Sequence, residues 1–558
     1  MRRYAIAFTL LLFLLSAVAI RLFHLQIVQH ELWVAQAQKI QQQETIKIPK
    51  RGRIYDRNGI LLAEDVPAIS IALDNSQMTR PEKLQELLYH YLGISFAESH
   101  GKIYHQGYFT WLQRQVDLDT AQKLKTEAHA NQVQGLLFIE DFKRSYPQRD
   151  LASNIIGFTD LDNHGIEGIE LQFDALLRGE ESLVAIRSMG DRNRTEIKRE
   201  VLKQGTPGDD IYLTIDSRIH QLTEEAISAG VRRYEAKGGF ALVMNVHTGE
   251  VEAMAQDKRF DLNHFQSSTP LERKNIAVTT PFEPGSSAKM FTMLAALEAD
   301  PTIVNRSFNG DASYRPPVTR RHGSQTLTTY PRAFHNSENK SYGSVTPTTV
   351  IQESINTAMI QIAYEIVGAQ RLYEHLLELG FSQKTGIDLP GEVSGFLRSP
   401  DANNPTELGD VAIGQAFSVT GIQLATAVCA IADGGMILKP KILLATQDPR
   451  RAVLERIPYT ASRQVAHQSN TITLTQMMKE VVRRGSGTAA QIKGYEVAAK
   501  SGTAQKAIPG MGYVKGKYTS LFAGFIPADD PQYVILVVLD EVGTKEYYGG
   551  RTAGPIFK

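Results

Sequence analysis

The sequence predicts an α/β (α+β) protein in three parts. These are one N-terminal transmembrane helix, an elongated α+β pedestal, and a larger domain with a central antiparallel sheet flanked by helices. Three observations carry this. The 558-residue chain opens on an apolar run. A long stretch follows in which strand-like and polar helical segments mix without any site-like cluster. Then strand-like segments at 239–255 and 518–539 bracket a region of apolar, Ala-rich helices, so the first and last strands should share one sheet.

Residues 1–28 form the anchor. Met1-Arg2-Arg3 precedes Tyr4 to Ile20, an apolar run broken only by Thr9 and Ser16. About twenty such residues cross a bilayer, so the run suffices if Arg21 snorkels to the interface. Arg2 and Arg3 favour a cytoplasmic N-terminus, which places everything after Val28 outside. The rival is a cleaved signal peptide, because Ala17-Val18-Ala19 fits a small-x-small cleavage site.

Residues 29–205 are expected to be stalk and pedestal. Gln36 to Glu44 is polar and helix-compatible. Thr45-Ile46-Lys47-Ile48 and Arg53-Ile54-Tyr55 alternate like strands, and Asn58-Gly59 is a hairpin signal before Ile60-Leu61-Leu62. Polar helices are expected around Pro81–Leu92 and Leu118–Ala130. The turn-rich Gly205-Thr206-Pro207-Gly208 sets the boundary, so the larger domain is expected at 206–558.

Composition excludes several classes. With 42% hydrophobic and 22% charged residues the chain is globular, not disordered. Sixty basic and sixty acidic residues give no net charge, so no nucleic-acid partner is implied. The one cysteine, Cys429, sits in an apolar run and reads as a small buried hydrophobe. The 14 histidines are scattered, and no His/Cys cluster has metal-ligand spacing, so neither a metal nor a cofactor is expected.

Three short strings carry the chemistry. Ser286-Ser287-Ala288-Lys289 follows Pro284-Gly285 and opens an apolar helix, which puts Lys289 beside Ser286 on its first turn. A serine is a poor nucleophile until a base takes its proton, and a desolvated lysine can be neutral enough to do so. The bland alternative is an N-cap serine with a surface lysine. Ser354-Ile355-Asn356 lies in a helical neighbourhood; residues two apart do not share a helix face, so both reach one site only if the chain turns there, with Asn356 or Thr357 capping a second helix. Otherwise it is one continuous helix with two polar residues facing water. Lys500-Ser501-Gly502-Thr503 follows the strand-like Tyr495–Ala499, with Lys500 at the strand end, a turn around Pro509-Gly510-Met511-Gly512, and further strands at 518–526 and 533–539. At a sheet edge, Gly502 would admit a substrate backbone, while Lys500, Ser501 and Thr503 would bind a C-terminal carboxylate. The alternative is a surface hairpin.

The chain also holds decoys. Ser337-Glu338-Asn339-Lys340 fits the first two patterns but lies in a polar run that cannot bury a lysine. Lys384-Thr385-Gly386 fits the third but stands in helix-exit and loop chemistry.

With their order and surroundings these strings closely resemble the class B penicillin-binding proteins, monofunctional D,D-transpeptidases of bacterial wall synthesis. Further matches extend along nearly the whole chain: Arg51-Gly52-Arg53-Ile54-Tyr55-Asp56-Arg57-Asn58-Gly59, Gly165-Ile166-Glu167-Gly168-Ile169-Glu170, Phe282-Glu283-Pro284-Gly285-Ser286, Ile413-Gly414-Gln415 and Tyr547-Tyr548-Gly549-Gly550. The resemblance implies the penicillin-recognising fold and an uncleaved anchor. It implies Ser286 as nucleophile, Lys289 as base, Ser354 as proton relay and Asn356 as orienting group, with the backbone N–H groups of Ser286 and Thr503 as oxyanion hole. Substrates would be the D-Ala-D-Ala end of a peptidoglycan stem pentapeptide and β-lactams, and the partner class a polytopic glycan polymerase with other division proteins. The Tyr547–Gly550 match points to the septal branch, although Ile413-Gly414-Gln415-Ala416 is shared with elongation- and sporulation-type relatives. A β-lactamase, a penicillin sensor and a catalytically silent scaffold are the rivals. Relatives typically continue beyond Pro555-Ile556-Phe557-Lys558 into a helix on the sheet, so here the chain is expected to be truncated or its sheet covered differently.

Overall fold

The structure is a computed structural model. It describes residues 2–31, 33, 42–47, 49–105, 109–189, 196–322, 325–330, 332–401, 404, 406–451, 453–458, 461–508 and 512–558. Most of the expected polar stalk at 36–44 and the Pro509–Met511 turn lie outside the described residues. The chain divides into two compact units, Met1–Gly52 with Arg178–Gly208 and Arg53–Leu177 with Asp209–Lys558.

In the first unit, α1 (Arg2–Phe23) continues as a wider turn to Val28, with a mean hydropathy of 2.4 over an 18-residue stretch and no buried part there. At about 1.5 Å per residue, this length exceeds the roughly 30 Å hydrocarbon core of a bilayer. The same unit holds an antiparallel three-stranded sheet of Gln42–Lys47, Ser182–Met189 and Glu196–Lys203.

The second unit begins with the hairpin that Asn58-Gly59 announces. Ile54–Tyr55 turns back into Leu61–Asp74, Gly59 has φ +84°, and the Asp56 carboxylate accepts the N–H groups of Asn58 and Ile60. These strands enter a seven-stranded sheet that also takes in Asp210–Leu213, Leu443–Gln447 and Leu454–Arg456. The expected break at 205/206 therefore falls just before a strand that pairs on both sides. Pro81–Leu92 and Leu118–Ala130 are helices as expected; each buries residues on one face (Leu84, Leu87 and Leu88; Ala121, Leu124 and Ala128) against Ile71 and Leu73.

After α2 (Ser217–Arg233), β1 (Gly238–Asn245) and β2 (Val251–Gln256) form a hairpin. α3 (Lys289–Ala299) is buried almost all round. α4 (Pro347–Gln352) and α5 (Asn356–Ile362) follow, then the apolar α6 (Gly421–Ala432) and α7 (Gln468–Arg484). The chain closes with β3 (Ala498–Ile508), β4 (Gly512–Ile526) and β5 (Tyr533–Asp540). The sheet order is β2-β1-β5-β4-β3, all antiparallel, so the first hairpin does join the last three strands, and β3 is an edge.

Side chains alternate between the faces of this sheet, as the pleat requires. Leu242, Met244, Leu521, Ala523, Leu536 and Val538 pack into the cluster with α3 and α6. Ala241, Phe522, Val537 and Leu539 face the opposite cluster, which takes in Ile227 and Tyr234. The short helices Gly549–Thr552 and Gly554–Phe557 cover that second face with α2, and the Phe557 ring meets Phe522 edge-on at 5.1 Å.

Candidate active site

The nucleophile segment is a tight turn before a buried helix. Gly285–Ala288 forms a single 3₁₀ turn leading directly into α3. Gly285 has φ +53°, and a Cβ there would stand 2.7 Å from the Thr503 carbonyl oxygen. Only glycine lets this turn sit against β3. Ser286 is half-buried, and its N–H precedes the first hydrogen bond of the turn, from Ser287 N–H to the Pro284 carbonyl at 3.4 Å.

Ser354-Ile355-Asn356 does make the turn that the spacing required. α4 ends, Ser354 adopts φ +60° in the left-handed region, and α5 starts at Asn356. A non-glycine residue held there costs of order 1–3 kcal/mol, which the surroundings have to over-determine. The capping differs from expectation: Ile355 is the N-cap, and neither Asn356 nor Thr357 caps the helix. Asn336 does this from another segment. Its Oδ1 accepts the Thr357 N–H at 3.0 Å and hydroxyl at 3.1 Å, while its amide donates to the carbonyls of Gly310, Asp311 and Lys340.

With capping done elsewhere, the Asn356 side chain is free to serve the lysine. Lys289 is fully buried, and its Nζ contacts Ser286 Oγ at 3.0 Å, Ser354 O at 2.7 Å, Ser354 Oγ at 3.1 Å and Asn356 Oδ1 at 2.6 Å. Two of these partners, Ser354 O and Asn356 Oδ1, can only accept, so they take the two N–H groups of a neutral amine and leave its lone pair towards the two hydroxyls. Burial pushes the Lys289 amine well below its ordinary value, and the neighbouring Lys500 lowers it further. Asn356 Nδ2 donates to the His335 carbonyl at 3.0 Å, which fixes the amide orientation.

Lys500 departs from its expected position. β3 runs Ala498–Ile508, so Lys500 lies inside the strand and not at its end. It is fully buried, and its Nζ donates to Ser354 Oγ at 2.9 Å and to the Ser501 carbonyl at 3.0 Å. Burial lowers it to about 7. Ser354 Oγ thus bridges the two lysines. Gly502 has a packing role besides the expected one: a Cβ there would stand 2.7 Å from the Pro284 carbonyl, so it makes room for the nucleophile turn. Ser501 Oγ meets Ser486 Oγ at 3.2 Å, and Thr503 Oγ1 accepts the Gly549 N–H at 3.0 Å, leaving the Thr503 proton to donate.

The three strings therefore converge and the decoys do not. Ser337 and Lys340 are exposed in a short turn. Thr385 and Gly386 are clasped by the Glu392 carboxylate. Sequence reasoning missed Asn336 and Ser486, which belong to no spaced motif, and it quoted Glu283 only as a family match. Among the described residues no group of His, Cys, Asp and Glu could hold a metal ion.

A helix-borne serine and lysine facing the edge of an antiparallel sheet is the arrangement of the penicillin-recognising fold. The comparisons agree. Residues 239–558 match the penicillin binding protein transpeptidase domain, and residues 46–213 match the penicillin-binding protein dimerisation domain. Stage V sporulation protein D of Bacillus subtilis is 30% identical over 514 residues, covering 91% of this chain and 77% of that one. The probable peptidoglycan D,D-transpeptidase PenA of Neisseria meningitidis is 30% identical over 513 residues, covering 91% and 83%. Penicillin binding protein 3 of Mycobacterium tuberculosis, solved with aztreonam, superposes with TM-score 0.64 at 26% identity, covering 92% and 95%. This chain belongs to the class B penicillin-binding proteins, with a transpeptidase domain behind a dimerisation domain.

Proposed function

We propose that the protein is a peptidoglycan D,D-transpeptidase of septal wall synthesis, anchored by α1 in the cytoplasmic membrane with residues after Val28 outside. Residues 29–205 serve as stalk and pedestal, and 206–558 as catalytic domain. The observation that carries the chemistry is the set of four contacts around the buried Lys289 Nζ.

Ser286 Oγ attacks the carbonyl carbon of the penultimate D-Ala as Lys289 takes its proton. The backbone N–H groups of Ser286 and Thr503 hold the developing oxyanion. The carbon–nitrogen bond then breaks, and the leaving D-Ala amine receives a proton through Ser354, with Lys500 setting the hydroxyl's orientation. Ser501 and Thr503 bind the terminal carboxylate; Lys500 acts on it through its charge alone. An amine of a neighbouring stem attacks the ester, gives its proton to Lys289 and returns Ser286 to its hydroxyl, which leaves a cross-link. β-Lactams acylate the same serine and stay.

The septal role is supported by Tyr547-Tyr548-Gly549-Gly550 and by a relative from Buchnera aphidicola named peptidoglycan D,D-transpeptidase FtsI, 28% identical over 568 residues and covering 100% of this chain and 93% of that one. The partner would be a polytopic glycan polymerase. Exposure to a fluorescent penicillin, followed by intact mass, tests the chemistry: one stable adduct is expected in the wild type and in Ser337→Ala, and none in Ser286→Ala. Steady penicillin turnover would instead indicate a β-lactamase. Depletion in the host should give filaments; round cells would move the role to elongation.

A further inference from the structure

A cleft of about 670 Å³ adjoins the nucleophile, lined among others by Glu283, Ala416, Ala504, Gln505 and Lys506. It begins one residue beyond Thr503 on β3 and three residues before Ser286. Resting on the transpeptidase reading, a donor peptide pairs with the β3 edge, its carboxylate at Ser501 and Thr503, and the residue before D-Ala-D-Ala is carried towards Gln505. A residue advances about 3.3 Å along a strand, so that preceding residue's side chain reaches the mouth of this cleft.

Glu283 is the distinctive group there. Its carboxylate accepts the Tyr513 hydroxyl at 2.9 Å and the Ala416 N–H at 3.2 Å. Among the described residues it has no cation within ion-pair distance, and the charge acting on it is the like charge of Asp410, which Arg332 holds. Burial and that repulsion hold it above the usual carboxylate range. Three further lysines beside Lys506 line the wider cleft (Lys237, Lys258 and Lys274), yet Lys506 is bound by Asp540 and Glu541 and Lys237 by Glu541. The Glu283 end is thus a partly buried carboxylate awaiting a cation. The proposed reaction supplies one: it consumes a stem amine, so donor stems carry the same amine.

We propose that Glu283 is a specificity-determining residue that binds the side-chain ammonium of the donor residue preceding D-Ala-D-Ala. The full chain in detergent would be acylated, without acceptor, by two thioester peptides that mimic the donor end. They differ only in a preceding lysine whose ε-amine is free or acetylated. The rate ratio within each protein is the readout, so a general loss cancels. The wild type should favour the free amine about tenfold, a single well-placed charge contact. Glu283→Gln keeps both hydrogen-bond acceptances and should bring the ratio to about one; Glu283→Asp should restore part of it. Equal rates in the wild type, or a preference that survives in Glu283→Gln, would overturn the proposal while leaving the transpeptidase reading intact. Loss of penicillin acylation in Glu283→Gln would also overturn it, marking Glu283 as support for the nucleophile. Failure of penicillin and both peptides to acylate the wild type would sink the transpeptidase reading and this inference with it.

Discussion

Two regions of this molecule bury cations and treat them in opposite ways. In the pedestal, Arg144 donates to Glu170 at 2.7 Å and to Asp65 at 3.1 Å, and Tyr146 and Asn163 complete the network. The two carboxylates raise the guanidinium above its ordinary value against the burial that would lower it. In the active site, Lys289 and Lys500 are buried still more fully, but they meet only hydroxyls, carbonyls and an amide, and both fall. Burial alone thus does not set the charge state. A carboxylate partner keeps a buried cation charged; withholding one lets burial pull a lysine towards its neutral form, as the base Lys289 requires.

The contrast can be broken by substitution. Lys289→Met should lower penicillin acylation at least about a thousandfold, the scale for losing the base that acts with a nucleophile, as followed by adduct mass against time. Arg144→Met leaves Asp65 and Glu170 buried without their cation. It should cost about 3–5 kcal/mol in a denaturant melt while the surviving folded fraction still acylates.

Lys500→Met should have two effects of opposite sign. The Lys500 amine titrates at about 7 in the folded chain against an ordinary 10.5. Between those values the unfolded chain binds more protons, so stability rises with pH from about 7 towards 10.5, and the full penalty stands below 7. Removing the amine should raise the melting temperature at pH 7 while acylation falls. A lower melting temperature would show that the lost donations to Ser354 and Ser501 outweigh the desolvation. The smallest effect is expected for Asn336→Ala: about tenfold in acylation, with a shifted pH midpoint as the turn holding Asn356 loosens. An unchanged pH midpoint would make Asn336 merely structural.

Much of this was legible in the sequence. Ser286 and Lys289 were readable because three-residue spacing on a helix fixes their proximity whatever the rest does. The turn at Ser354 followed from the same geometry, since two residues apart on a helix cannot face one site. What failed depended on contacts across the chain. Ser501-Gly502-Thr503 reads locally as a strand ending, yet pairing with Phe522, Leu521 and Ser520 carries β3 through it. The packing of Gly502 against the Pro284 carbonyl was not legible, because nothing in its sequence neighbourhood announces that contact. Asn336, next to a decoy, caps a helix that begins twenty residues later, a relation no spacing rule encodes.

Lys289 serves as the base because it is buried without a carboxylate, which pulls its amine well below the ordinary lysine value. The most direct test is the pH dependence of the second-order rate of penicillin acylation, with Lys289→Met alongside. The expected rate rises with pH to a plateau, with its midpoint well below the ordinary lysine value of 10.5, and shows no such rise in Lys289→Met. A midpoint near the ordinary lysine value of about 10.5, or the same profile without Lys289, would contradict it.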